Sequence, residues 1–194
     1  SATGTANWTR VASSGNTLRA IAYGASKFVA VGDGGVVRIS SDNGSTWSAQ
    51  AFPVSQQLKS VIHDGTRFIA IGSSSTVIHS TDGVTWTAGA TVTAGKSLTG
   101  LAYKPTGNYV TVASDGTVYA TADATTGAWT AGTSGTTNQF NSVAYVNNLF
   151  VAVANGGHIR TSSTGAGTWT SVTNSNTSHL NAVAFAGTTY VAVG

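Results

Sequence analysis

The chain has 194 residues, with nine Lys+Arg, six Asp+Glu and four His, a formal charge of +3 and only 8% charged residues. All six acids are aspartate, at 33, 42, 64, 82, 115 and 123, and there is neither cysteine nor methionine. Disulfides, thiolate metal sites, thiol nucleophiles and any glutamate-dependent mechanism are therefore excluded. A hydrophobic fraction of 41% supplies a core, and all-β domains of ~200–250 residues are routine, so the length fits a single domain over 1–194. Nine cations without a cluster make a poor nucleic-acid footprint. No apolar run approaches the ~18 residues that would suggest a membrane span. The expected partners thus include no nucleic acid, and no membrane insertion is expected.

Internal repetition dominates the chain. Trp8, Trp47, Trp86, Trp129 and Trp169 are spaced by 39, 39, 43 and 40 residues. Leu18, Leu58, Leu98, Phe140 and Leu180 keep the same beat, as do Phe28, Phe68, Tyr109, Phe150 and Tyr190. Each unit opens on an apolar strand A, predicted at Leu18–Tyr23, Leu58–His63, Leu98–Tyr103, Phe140–Tyr145 and Leu180–Phe185. A short polar turn leads to strand B, at Phe28–Gly32, Phe68–Gly72, Tyr109–Ala113, Phe150–Ala154 and Tyr190–Gly194. These runs have the β-branched and aromatic composition of strands. A Gly/Ser turn leads to strand C, around Val36–Ser40, Thr76–Ser80, Thr117–Thr121 and His158–Ser162, and a hydrophilic turn to a tryptophan strand D. Four strands per ~40–45 residues in tandem predict an all-β propeller. The blade units are about 18–47, 58–86, 98–129, 140–169, and 180–194 joined by 1–8. Residues 1–8 align without gaps to 162–169, which predicts a five-bladed ring closed by the N-terminal strand. The alternative is a piece of a longer propeller.

The C–D turns carry a motif. Residues 40–47 read Ser-Ser-Asp-Asn-Gly-Ser-Thr-Trp, and residues 80–86 read Ser-Thr-Asp-Gly-Val-Thr-Trp, one residue shorter. The third turn keeps Asp123 and Trp129 over a longer span. The fourth has Thr164 where the aspartate belongs. The whole chain therefore resembles the Asp-box (BNR-like) propellers, and its unit is most similar to the repeats of Ycf48-like photosystem II assembly factors and their bacterial relatives. The resemblance implies that Asp42, Asp82 and Asp123, with Trp8, Trp47, Trp86, Trp129 and Trp169, are structural. The physics agrees: an aspartate in a tight turn accepts from backbone N–H groups ahead of it, and a periodic tryptophan packs between blades.

Asp boxes also occur in sialidases, so catalysis needs a test. A sialidase-like site requires a glutamate beside its tyrosine nucleophile and an arginine cluster, and this chain has no glutamate. Other glycosidases need two carboxylates ~5–9.5 Å apart. With three aspartates in motif turns and Asp64 in an A–B hairpin, only Asp33 and Asp115 remain. The histidines at 63, 79, 158 and 179 hold four different positions in the unit, which fits neither a triad nor a metal site. The expectation is no enzyme, no metal and no cofactor.

A binding surface is sought instead. Propeller connectivity places the A–B and C–D turns on one face and the D–A and B–C loops on the other. The second face gathers Asp33, Asp115 and Asn155 from B–C turns, and Arg19, Lys59, Thr99, Asn141 and Asn181 from the first polar position of each strand A. These residues differ from blade to blade, unlike the tryptophans, which leaves them available for recognition. Arg19 and Lys59 suit an anionic or carboxylate-bearing partner. The expected function is non-catalytic recognition of a glycan or protein, extracellular or at a cell or virion surface. The alternatives are a Ycf48-like assembly factor, in the periplasm or thylakoid lumen, and a scaffold in a larger assembly.

Overall fold

A computed structural model describes residues 15–51, 54–105, 107–186 and 189–194. Four antiparallel sheets of four strands follow one another along the chain. The first holds β1 (Leu18–Gly24), β2 (Lys27–Gly32), β3 (Val37–Ser40) and β4 (Ser48–Gln50). The second holds β5 (Leu58–His63), β6 (Phe68–Gly72), β7 (Val77–Ser80) and β8 (Thr87–Ala88). The third holds β9 (Leu98–Tyr103), β10 (Tyr109–Ala113), β11 (Val118–Thr121) and β12 (Thr130–Gly132). The fourth holds β13 (Phe140–Val146), β14 (Leu149–Ala154), β15 (Ile159–Ser162) and β16 (Thr170–Val172). β17 (Ala182–Ala186) and β18 (Thr189–Val193) form a fifth, two-stranded sheet. Within each sheet the strands lie side by side in sequence order. The inner strands pack on one another in series, β1 on β5, β5 on β9, β9 on β13 and β13 on β17. The architecture is a β-propeller.

The core lies between blades rather than within them. Val29, Val31, Val37 and Ile39 of the first blade meet Leu58, Val61, Phe68, Ala70, Ile78 and Trp86 of the second. Ile69, Ile71 and Val77 meet Leu98, Leu101, Tyr109, Tyr119 and Trp129. Val110, Val112, Val118 and Ala120 meet Phe140, Val143, Phe150, Ala152 and Trp169. Strand alternation explains the division, because successive side chains go to opposite faces of a sheet. Both faces of a middle blade are buried, so β6 and β10 are buried along their whole length and read as continuous apolar runs rather than alternating ones.

Most strand boundaries fall within one residue of the sequence reading, and the larger differences have a local cause. The fourth strands start after the tryptophans, not on them, because each tryptophan closes the preceding turn. β17 starts at Ala182 rather than Leu180. The segment 1–8, expected to close the fifth blade, and Trp8 with it, lie outside the described residues. Among the described residues, β17 does not pack on β1 as the other inner strands pack on their neighbours.

Candidate functional site

The two ends of the blades are built differently. At the turn end, side chains of the motif hold their own loops. Asp42 accepts from Thr46 N at 2.9 Å and Thr46 Oγ1 at 2.6 Å, Ser40 Oγ donates to Asp42 Oδ1 at 2.7 Å, and Trp47 Nε1 donates to Gly44 O at 3.0 Å. Asp82 Oδ1 accepts from Val84 N and Thr85 N, each at 2.8 Å, while Trp86 Nε1 donates to Gly83 O at 2.8 Å. In the longer third turn Asp123 accepts from Thr125 and Thr126, and Trp129 Nε1 reaches back one blade to Ala90 O at 3.1 Å. Where threonine replaces aspartate, Ser162 Oγ still accepts from Gly165 N at 2.9 Å and Trp169 Nε1 donates to Gly165 O at 3.2 Å. The bonds from Thr46 and Ser40 hold the Asp42 carboxyl down at about 2, and those from Thr125 and Thr126 do the same for Asp123.

Neighbouring blades are then tied at this end. Lys27 Nζ donates to Asp82 O at 2.9 Å, Asn108 Nδ2 to Thr164 O at 2.8 Å, and Tyr109 OH to Asp64 Oδ2 at 2.6 Å. The Tyr109–Asp64 pair was not legible in the repeat, since the two residues occupy different positions of their units. Two recesses open at this end. One of about 480 Å³ is lined by Tyr103, Gly107, Asn108, Tyr109 and Ala122. One of about 310 Å³ lies beside Asp42 and Trp47.

At the opposite rim the backbone repeats and the side chains do not. Each B–C turn donates a backbone N–H to the D–A loop beside it: Asp33 N to Thr17 O at 2.9 Å, Ser73 N to Gln57 O at 2.9 Å, Ser114 N to Ser97 O at 3.0 Å, and Asn155 N to Gln139 O at 2.9 Å. Onto this frame Arg19 places its guanidinium against Asp33, with Nη2 at 2.9 Å from Oδ2. Gln57 Nε2 crosses from the second blade to Asp33 Oδ1 at 2.7 Å. Lys59 Nζ donates to Ser97 Oγ of the third blade at 2.7 Å, and Thr99 Oγ1 to Phe140 O of the fourth at 2.7 Å. Asn141 Nδ2 donates to Asn155 Oδ1 and to Leu180 O, each at 2.8 Å. Asn181 is exposed, and its backbone N–H bonds Val193 O at 2.7 Å.

The structure thus brings Arg19, Asp33, Lys59, Thr99, Asn141 and Asn155 onto one rim and links neighbouring blades through several of them. It also removes one expectation. Asp33 and Asp115 are not free acids: Asp33 pairs with Arg19, and Asp115 pairs with Lys96 and accepts from Thr117. The bond from Arg19 holds the Asp33 carboxyl below its usual range. Partial burial would raise Asp115, but the bonds from Lys96 and Thr117 outweigh it and leave the carboxyl at about 2. Lys59 moves the other way. Its half-burial, and then the charge of Arg19, push the ammonium below its usual range.

Sequence reasoning missed Lys96. It lies two residues before its inner strand, equivalent to Asn16, Gln56, Asn138 and Ser178, and the blade-to-blade variation that flagged its neighbours also holds there. Arg38 and Arg160 hold the same position in their units, yet of the two only Arg160 is buried. Arg160 donates to the carbonyls of Ser134 at 2.7 Å and Gly135 at 3.2 Å and to Ser171 Oγ at 2.9 Å, a structural use. Among the described residues there is no group of three His, Asp or Glu able to hold a metal ion, and no helix long and apolar enough to cross a membrane.

Comparison with known proteins places this fold. Its structure is similar to YCF48 from Cyanidioschyzon merolae, at TM-score 0.66 and 20% identity, covering 88% of this chain and 60% of that one. It is similar to the computationally designed Ika8 protein, at TM-score 0.72 and 18% identity, covering 90% and 54%. A structure of YCF48 bound to D1 peptide matches at TM-score 0.59 and 19% identity, covering 76% and 49%. The chain therefore spans about half to three-fifths of the length of these structures. No curated protein matches it. The model of the DUF6242 beta propeller domain matches residues 3–140, well over half of the chain, and the chain belongs to that family.

Proposed function

We propose that the chain is a non-catalytic recognition domain whose D–A/B–C rim binds a carboxylate-bearing segment of a partner protein. One observation carries this reading. Lys59, a half-buried lysine, stands within the field of the Arg19–Asp33 ion pair on a rim whose backbone is fixed by repeated hydrogen bonds. Partial burial strengthens the attraction of such a lysine for an anion, because screening by water is reduced. The described D–A and B–C loops carry no Phe, Tyr or Trp, which disfavours a glycan, since sugar faces stack on exposed aromatic rings. Phe52, the aromatic that the sequence offers there, lies outside the described residues. That a protein of the same fold has been seen bound to a peptide is consistent with a protein partner.

Hydrolysis is disfavoured by the commitment of Asp33 and Asp115 to cations of their own. A second reading, a scaffold within a larger assembly, is favoured by Gln57, Thr99 and Asn141, which use their donors to tie one blade to the next. The test is calorimetric titration with acidic peptides ending in a free carboxylate, against amidated counterparts, with a glycan array in parallel. Arg19→Ala with Lys59→Ala is expected to weaken binding of the free-carboxylate peptides by ~10-fold or more, as loss of two charge-assisted contacts should. A glycan hit with no peptide binding overturns the reading, and so does peptide affinity unchanged in the double variant.

A further inference from the structure

The first four blades offer the same pair of places on the rim. In each, the first residue of the inner strand lies opposite the last residue of the second: Leu18 opposite Gly32, Leu58 opposite Gly72, Leu98 opposite Ala113, and Phe140 opposite Ala154. The residues that follow are therefore matched: Arg19 with Asp33, Lys59 with Ser73, Thr99 with Ser114, and Asn141 with Asn155. In three of the blades the turn itself is also the same. The residue after Asp33, Ser73 and Asn155 is left-handed in each, with φ of 67° at Gly34, 55° at Ser74 and 69° at Gly156. The bond from the turn N–H to the D–A loop is 2.9 Å in all three. Side chains at 33, 73 and 155 thus leave equivalent backbones.

Two of these three places are filled from within the blade. Arg19 gives Nε and Nη2 to the Asp33 carboxylate, and Asn141 Nδ2 donates to Asn155 Oδ1 at 2.8 Å. The second blade breaks the pattern. Lys59 carries the charge that Arg19 carries, but Ser73 stands where the carboxylate stands. Among the described residues Lys59 has no ion pair, and the Ser73 hydroxyl has no hydrogen-bond partner. Lys59 Nζ gives one donor to Ser97 Oγ at 2.7 Å, and an ammonium has two more. Half-burial makes a cation without a counterion costly.

We infer that the second blade takes its missing acid from the partner: one carboxylate seats over Ser73 against Lys59, in the place that Asp33 fills in the first blade, which rests on the function proposed above and narrows it to one blade. The charges select the class of anion. Arg19, Asp33 and Lys59 lie within one another's fields, and two cations with one carboxylate leave a single positive charge. One carboxylate neutralises it, whereas a doubly charged phosphate overfills it and is repelled by Asp33. Arg19 has already given Nε and Nη2 to Asp33, so it assists with Nη1 while Lys59 seats the group.

Calorimetric titration with acidic peptides ending in a free carboxylate tests this by building the acid into the blade. Ser73→Asp should give Lys59 the internal partner that Arg19 already has and lower peptide affinity ~10-fold or more, the scale of a lost charge-assisted contact. The same turn holds Asp33 in the first blade, so the variant should fold, with circular dichroism and melting as the check. Lys59→Ala should lower affinity by a similar factor. Gln139→Glu adds the same charge to the exposed rim of the fourth blade and should change affinity by no more than ~2-fold, since salt screens charges at that remove. A peptide ending in phosphoserine amide should bind more weakly than the carboxylate peptide, and tighter binding overturns the inference. Equal losses in Ser73→Asp and Gln139→Glu make the rim a diffuse field and overturn it too. So does unchanged affinity in Ser73→Asp. Both results leave the proposed function standing if Arg19→Ala with Lys59→Ala still weakens binding. A parent chain that binds no free-carboxylate peptide overturns both.

Discussion

The turn end and the rim end of this propeller repeat in different currencies. At the turn end the side chains recur: a serine, an aspartate, a glycine and a tryptophan hold the turn within a few residues in the first two blades, and parts of the set return in the third and fourth. At the rim the backbone recurs, with the same N–H to carbonyl bond between B–C turn and D–A loop in four blades, while the side chains mounted on it are Arg19, Lys59, Thr99 and Asn141 in turn. Where side chains repeat, the fold needs them. Where only the backbone repeats, the side chains are released for other work.

The sharpest test of that contrast is Trp86→Ala. Trp86 is buried between blades and bonded to Gly83 O, and its truncation should cost about 3–5 kcal/mol, measured by denaturant unfolding. Trp47→Ala, at the same place in a half-open blade, should cost less than half as much. A smaller break in the contrast comes from Gly72→Ala. A Cβ on Gly72 would stand 1.9 Å from Gln57 O, inside the rim. The loop carbonyl must move, at about 1–3 kcal/mol for overpacking. The third and fourth blades carry alanine at this position, so the frame accepts a methyl only where the loop has adjusted to it. This places rigidity in the rim backbone and not in its side chains.

Acid titration reads the turn end through Asp42 and Asp123, both held at about 2 against ~3.9 in an unfolded chain. An acid whose folded pKa is depressed contributes stability that is full above the unfolded value and is lost as pH falls through the folded value. The melting temperature should therefore be flat from neutral pH to about 5 and fall between ~4 and ~2. Asp42→Asn with Asp123→Asn should flatten that fall more than Asp115→Asn does, because Asp115 carries only the rim's share. The smallest effect expected is Lys59→Ala, within ~0.5 kcal/mol of the parent, since its hydrogen bond goes to the neutral hydroxyl of Ser97. A large loss there would make the rim side chains structural and merge the two ends.

The propeller was legible because its signal is periodic. A tryptophan, a leucine and an aromatic residue each keep a ~40-residue beat, and burial between blades demands that they should. The motif turns were legible for a related reason: their bonds run three or four residues along the chain. Longer side-chain pairings were not. Tyr109 with Asp64 between two blades, and Lys96 with Asp115 within one, join residues at unlike positions of the unit, so no period reveals them. The same blindness left Asp33 and Asp115 looking free. Which of two equivalent arginines is buried was equally hidden, because Arg160 depends on the carbonyls of Ser134 and Gly135, set by a loop of the blade before it.

One feature of the outer edge bears on behaviour in crowded solution. The fourth strands are only two or three residues long and mostly exposed, with β8 reduced to Thr87–Ala88. A free strand edge is a template on which foreign chains can zip, and its hazard grows with the number of consecutive unpaired N–H and C=O groups. Two or three residues offer too few such groups to hold a visiting strand. The four-stranded blades, in a protein with so few charges to keep its copies apart, are thus guarded against fibril-like growth by the brevity of their margins.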